Sequence, residues 1–358
     1  MKKIVCLLLC FVLLFSLGGC KTKAPDDTES SSIVIEPPKK PVNPLTGVRN
    51  MEEGEQYYRP IAIVVNNIKV AQTVQTGVAK ADIVYETEAE GGITRLVAVY
   101  QNTDKIKQVG PIRSARCAFI DIAHNHGAVF VHHGQEPYYA VAQLKNIDSY
   151  VIGENNIGVR VPNGLAWEHR LFANTETLRQ KLSDQGIKTV NETVKNWQNW
   201  ADEEEQLTLA GGEALSVTVP FSNSYTTVMR YDPSTKKYTK YYKDSLVKDA
   251  VTGETLTFKN VFVLTTGISP LYSAYVKIDM NQGDGYYFVN GTYVPIKWYK
   301  GGTYGAFSFT NIDGTPLTVN AGTSYVCIAD KNSSKPIIEF PPEPEPEVSD
   351  PNSSVVAG

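Results

Sequence analysis

The chain has 358 residues, with 34 Lys and Arg against 38 Asp and Glu, a formal net charge of −4 and no basic block. Nucleic-acid binding needs a clustered Lys/Arg footprint, so that partner class is excluded. Between the two polar ends lie roughly 290 residues, enough for two domains at ~100–200 residues each.

Residues 1–19 read as a cleaved signal peptide. Lys2 and Lys3 give a basic start, Ile4 to Leu17 form an apolar run, and Leu17-Gly18-Gly19-Cys20 closes it with small residues. The run is too short to cross a hydrocarbon layer, which takes roughly 20 residues. The closing tetrapeptide looks like a bacterial lipobox, which implies lipid on Cys20. Each buried acyl CH₂ contributes ~0.8 kcal/mol, so two or more chains anchor a protein stably. The expected location is therefore the cell membrane, lipid-anchored on its extracytoplasmic face. Residues 20–43 follow as a tether rich in Pro, Ser, Asp and Lys, without the apolar surface that would offset ordering entropy.

Residues 44–205 mix strands and helices. Arg59 to Asn67 is an apolar, two-sided strand, and Ala81 to Glu88 is a second. Glu90-Gly91-Gly92 turns the chain into Ile93–Tyr100, which predicts a hairpin. A helix is expected from Ser114, a natural N-cap, to about His126. Ala128–His132 is a strand, and Pro137 can open a helix to Leu144. Asn174 or Thr175 could cap a helix to Lys181, with Gly186 near its end. From 206 to 331 the pattern changes to short Tyr- and Val-rich alternating runs such as Ser216–Val219 and Val261–Leu264. The fold class expected is α+β overall, an N-terminal mixed α/β domain followed by a C-terminal, mostly antiparallel all-β domain. Residues 332–358 form a Pro/Glu-rich tail, expected to be disordered.

Cys6 and Cys10 leave with the signal and Cys20 carries lipid, so only Cys117 and Cys327 remain. Each sits in an apolar pattern and reads as a small buried hydrophobe, with a disulfide left open.

The most informative stretch for chemistry is Gly110-Pro111-Ile112-Arg113-Ser114-Ala115-Arg116. Cations here crowd the positive end of a helix dipole. Either an anionic ligand meets the guanidinium groups and free N–H donors, or internal carboxylates such as Glu86, Glu88, Glu90 and Asp121 pair with them. Glu86, Glu88 and Glu90 would share one strand face. Crowded carboxylates can raise one another's pKa, as a general acid requires, or merely form a wet face. In Val131-His132-His133-Gly134 the two rings point to opposite faces. Trp167-Glu168-His169-Arg170 suits a sugar or carboxylate contact. No HExxH, no cysteine pair and no nucleotide loop is present, so neither a metal nor a cofactor is expected.

Asn43-Pro44-Leu45-Thr46-Gly47, Arg59-Pro60-Ile61-Ala62, Ala81–Glu86, Glu90–Arg95 and Gly110–Arg116, with the later Asn260–Val263, Asn290-Gly291 and Lys297-Trp298, resemble the YerB-type lipoproteins of Gram-positive bacteria. That family has no known function. The resemblance implies the two-part architecture and the envelope location, and it places Glu90, Arg95, Arg113, Arg116 and His132 in the family's polar signature. His169 is retained where the family carries Pro-His-Asn, with altered neighbours.

Two functional readings follow. In the first, slightly favoured because no complete catalytic motif is present, a non-catalytic module binds an anionic or glycan cell-envelope ligand, or an envelope protein, through Arg95, Arg113, Ser114, Arg116 and His169. In the second, a peptidoglycan-acting hydrolase or lyase uses Glu90 or Glu86 as acid or base with His132 as an orienting group.

Overall fold

The computed structural model describes residues 39–151, 158–333 and 336–339. The expected signal peptide, Cys20, and most of the expected tether and tail lie outside the described residues. Among the described residues no helix is long and apolar enough to cross a membrane.

The N-terminal half supplies β1 (Ile61–Asn66), β2 (Ile83–Glu90), β3 (Ile93–Tyr100), α1 (Cys117–Asn125), β4 (Val129–His132), α2 (Tyr139–Leu144), β5 (Ser149–Val151) and α3 (Leu178–Asp184). All six residues of β1 are buried, because it lies between antiparallel β3 and parallel β4. Alternate side chains leave a strand on opposite faces. Ile61, Ile63 and Val65 accordingly enter one apolar cluster and Ala62 and Val64 another. The second cluster is covered by α1 through Phe119 and Ile120.

The C-terminal half supplies β6 (Ser216–Pro220), β7 (Thr226–Asp232), β8 (Lys237–Tyr242), β9 (Asn260–Thr266), β10 (Ile268–Tyr272), β11 (Tyr275–Ile278), β12 (Gln282–Val289), β13 (Thr292–Tyr299), β14 (Ser308–Asn311), β15 (Ser324–Asp330) and β16 (Ile337–Glu339). One 12-stranded sheet runs β14-β13-β12-β9-β15-β2-β3-β1-β4-β5, with the β10–β11 hairpin joined to it at β2. Both halves therefore share a sheet, and β15 pairs in parallel with β9 on one side and β2 on the other. A second sheet is antiparallel, with β7 between β6 and β8 and with β16 beside β6. Its Val217, Val219, Met229 and Tyr238 pack on the large sheet's Val84, Leu96 and Ala98. The molecule is α+β, with a mixed sheet and antiparallel C-terminal strands.

The β2–β3 hairpin forms as the sequence suggests. Gly91 and Gly92 take φ of 56° and 75°, a region open to glycine at no steric cost. Helix starts differ from expectation. α1 begins at Cys117, with Arg116 as its N-cap and no side-chain cap. Ser114 is not the cap, because residues 110–116 are an extended strap tied by backbone bonds. Ile112 N–H donates to Leu171 O at 2.8 Å, Arg113 N–H to Val64 O at 3.0 Å and Ala115 N–H to Gly134 O at 2.9 Å. α2 starts after Tyr138 because Glu136 accepts from the N–H groups of Tyr138, Tyr139 and Ala140 at 2.6–2.7 Å. α3 starts late because Leu171–Asn174 is strand, paired with Gln108–Val109 and Gly158–Arg160. Cys117 and Cys327 are free thiols, Cys327 fully buried and Cys117 packed against the core beneath α1.

Candidate functional site

Three arginines gather where the strap meets the end of β2. Glu90 bridges two of them. Its Oε1 accepts from Arg95 Nη2, and its Oε2 accepts from Arg116 Nε at 2.8 Å and pairs with Nη2 at 2.6 Å. Arg95, buried on β3, also donates to Ser114 O at 3.0 Å. Arg116 donates to Ala115 O at 2.8 Å and lies 4.8 Å over the Tyr275 ring. β11 delivers that ring by pairing Tyr275 with Glu90.

Arg113 is held less. Its Nη1 donates to Glu168 O at 3.2 Å, and its Nε is buried without a partner. Burial lowers its pKa, Glu168 and Glu90 oppose that, and Arg116 adds to it. Arg95 is brought down to about 9, first by burial and then by Arg116, with Glu90 opposing. It stays charged at neutral pH. Positive charge is in excess here even when Glu168 is counted beside Glu90.

His169 joins the Arg113 edge through Glu168. Its Nδ1 accepts from Asn66 Nδ2 at 2.9 Å, so the neutral ring carries its proton on Nε2, 4.0 Å from Glu168 Oε1. Burial lowers the His169 pKa, Glu168 opposes, and Arg113 adds. Trp167 beside it is 59% exposed and lies 4.0 Å beneath the Arg160 guanidinium. Ser114 contributes its carbonyl to the cluster, and its hydroxyl rests against Gly134.

Glu86 is elsewhere. A register shift between Glu88 and Glu90 puts Glu90 on the α1 side of the sheet, while Glu86 faces β7 and β8. The expected row of three carboxylates on one face does not form, because the extra residue of a bulge reverses the alternation. Glu86 accepts from Asn67 Nδ2 (2.7 Å), Thr94 Oγ1 (2.8 Å), Thr227 Oγ1 (2.6 Å) and Tyr325 OH (2.5 Å), and pairs with the fully buried Lys240 at 3.2 Å. Its burial would raise its pKa, but Lys240 and the hydroxyl donors outweigh that and leave it lowered. Sealed at 1% exposure, Glu86 cannot reach a substrate. His132 is also enclosed, with no solvent exposure. Its Nδ1 donates to Gly134 O at 2.8 Å, its ring stacks on Phe130 at 5.2 Å, and burial lowers its pKa against that bond. Neither residue opens onto the arginines.

The sequence reading missed an aromatic row. Tyr275 neighbours Tyr272 at 5.1 Å, and Tyr272 neighbours Tyr138 at 5.3 Å and Tyr139 at 6.4 Å. Tyr138 and Tyr139 are 67% and 55% exposed, and the Tyr272 hydroxyl bonds Glu136. The Pro137-Tyr138-Tyr139 run was a signal for part of it; the β10–β11 contribution left none, since Tyr272 lies 136 residues from the Glu136 it bonds. Among the described residues no group of three or more His, Cys, Asp or Glu could hold a metal ion.

Residues 45–188 match the family described as "Protein of unknown function (DUF3048) N-terminal domain", and residues 215–326 match its C-terminal domain. The chain belongs to the DUF3048 family. The DUF3048 chain is 30% identical over 303 residues to the Bacillus subtilis (strain 168) protein named "Putative lipoprotein YerB", covering 81% of this chain and 85% of that one. The crystal structure of the YerB protein from Bacillus subtilis superposes with a TM-score of 0.70 at 26% identity, covering 83% of this chain and all of that one. The resemblance read from the motifs is thus borne out.

Proposed function

We propose that this chain is a lipid-anchored, extracytoplasmic binding module for an anionic cell-envelope glycan, and that it works without turnover. The observation that carries this reading is the uneven charge balance of the strap. Arg95 and Arg116 are bridged by Glu90, whereas Arg113 keeps a buried Nε with no partner and donates from Nη1 to a backbone carbonyl. A carboxylate or phosphate of the ligand would complete Arg113, since charge-assisted guanidinium bonds are the strong ones. The aromatic row that runs from Tyr275, beside Arg116, through Tyr272 to the exposed Tyr138 and Tyr139 supplies faces for sugar rings. Lipid on Cys20 is supported by the Leu17–Cys20 motif and by the name of the Bacillus subtilis relative.

The hydrolase reading has less support. Both Glu90 oxygens are engaged by guanidinium groups, and Glu86 and His132 are enclosed.

The test is co-sedimentation of the protein with purified cell-wall sacculi, before and after their anionic polymers are stripped. Arg113→Ala should weaken binding at least about tenfold, as loss of a charge-assisted bond implies, while the melting temperature stays within about 3 °C, a shift near 1 kcal/mol for a chain of this size. Normal binding by a normally folded Arg113→Ala protein, or release of soluble wall fragments by the native one, would overturn the proposal.

A further inference from the structure

A cavity of about 210 Å³ opens at the C-terminal end of α1, beside the exposed loop 191–196. Three of the residues lining it carry buried polar atoms with no partner: Gln101 Oε1, Asn125 Nδ2 and Trp197 Nε1. Gln101 and Asn125 are only 1% and 8% exposed. Which amide atom is unpaired is fixed by backbone neighbours. Gln101 Nε2 donates to the carbonyls of Glu55, Gln56 and Tyr58 at 2.7–3.2 Å, so that atom must be nitrogen. Asn125 Oδ1 accepts from the Phe307 N–H at 2.7 Å, so that atom must be oxygen. The indole N–H is a donor only. The residues lining the cavity therefore carry two donors and one acceptor, all unmet, and unmet buried polar groups cost free energy.

We propose that this cavity binds a secondary amide, presented as the acetamido group of an amino sugar or as a peptide amide. The ligand carbonyl accepts from Asn125 Nδ2 and Trp197 Nε1, and its N–H donates to Gln101 Oε1. Its methyl lies against the Trp197, His126 and Phe307 rings, which already pack together around Tyr85. No carboxylate lines the cavity, and Lys195 belongs to the exposed loop at its rim. Drug-sized ligands fill ~300–1,000 Å³; this volume takes a substituent of a larger molecule. The site is separate from the arginine strap and stands or falls independently of it.

Saturation-transfer difference NMR on the full chain in detergent, with N-acetylglucosamine, glucosamine and N-acetylalanine methylamide as probes, tests the assignment. The acetyl methyl of N-acetylglucosamine should receive the strongest saturation and glucosamine none. Trp197→Phe, which removes the indole N–H and keeps a ring, should weaken binding about fivefold to tenfold, the loss of one hydrogen bond. Arg113→Ala should leave it unchanged. Binding of the methylamide without the sugar supports the amide site and assigns its source to peptide. Equal binding of glucosamine, unchanged affinity in Trp197→Phe, or no transfer to either amide probe would overturn the proposal and leave a cavity that holds water alone.

Discussion

Glu86 and Lys240 form an ion pair with essentially no solvent contact. Breaking such a pair strands the other charge, which costs about 3–5 kcal/mol, whereas replacing both members by apolar groups of similar size is often tolerated. Glu86→Gln should therefore lower the urea midpoint strongly, and adding Lys240→Met, which removes the stranded ammonium, should recover part of the loss. A neutral effect of the single change would show that the network is not structural. The pH dependence follows from the lowered Glu86 pKa. The unfolded carboxyl titrates near 4.3, so the pair's contribution is complete above about pH 5 and disappears as acid takes the pH down through the lower folded value. Little of this was legible beforehand. The strand pattern placed Glu86 well, but its partners Thr227, Lys240 and Tyr325 lie far along the chain, and nothing local to Glu86 encodes them.

Among the elements, the 110–116 strap decides what the arginines can do. It crosses from β1 to the loop after β4, and that loop turns at Gly134, whose φ is +75°. A Cβ at this position would meet Ser114 Oγ at 2.9 Å. Gly134→Ala combines that contact with a left-handed backbone, which costs an L-residue about 1–2 kcal/mol. It should lower the melting temperature and loosen binding to sacculi together, by shifting Ser114 and the arginines on either side of it. Wild-type behaviour in both assays would mean that the strap tolerates displacement. The apolar run of α1 and the Gly91-Gly92 turn were readable because periodicity and glycine act locally. The late start of α1 and the bulge before Glu90 were not, since both follow from tertiary hydrogen bonds that overrule Ser114 as a cap and the simple alternation of β2.

The proposed location belongs to the whole molecule. Cys20→Ser should remove palmitate labelling and move the protein from the membrane to the soluble extracytoplasmic fraction, with the fold intact; retention in the membrane would mean another anchor. At this scale the sequence conveyed composition well: helices and strands mixed before residue 205, strands after it. It did not convey that the halves would merge into one sheet, because a parallel partner for β2 sits at residues 324–330 and strand patterns do not name their neighbours. That pairing also sets an order of events as the chain is made. Glu86 and the Tyr325 that bonds it are 239 residues apart, so until residues 324–330 are made, β2 has β3 on one flank and a bare hydrogen-bonding edge on the other. Closing so distant a contact is slow even though the entropic cost of loop length grows only logarithmically. The central sheet is therefore closed by residues 324–330, which follow all of its other strands in the chain.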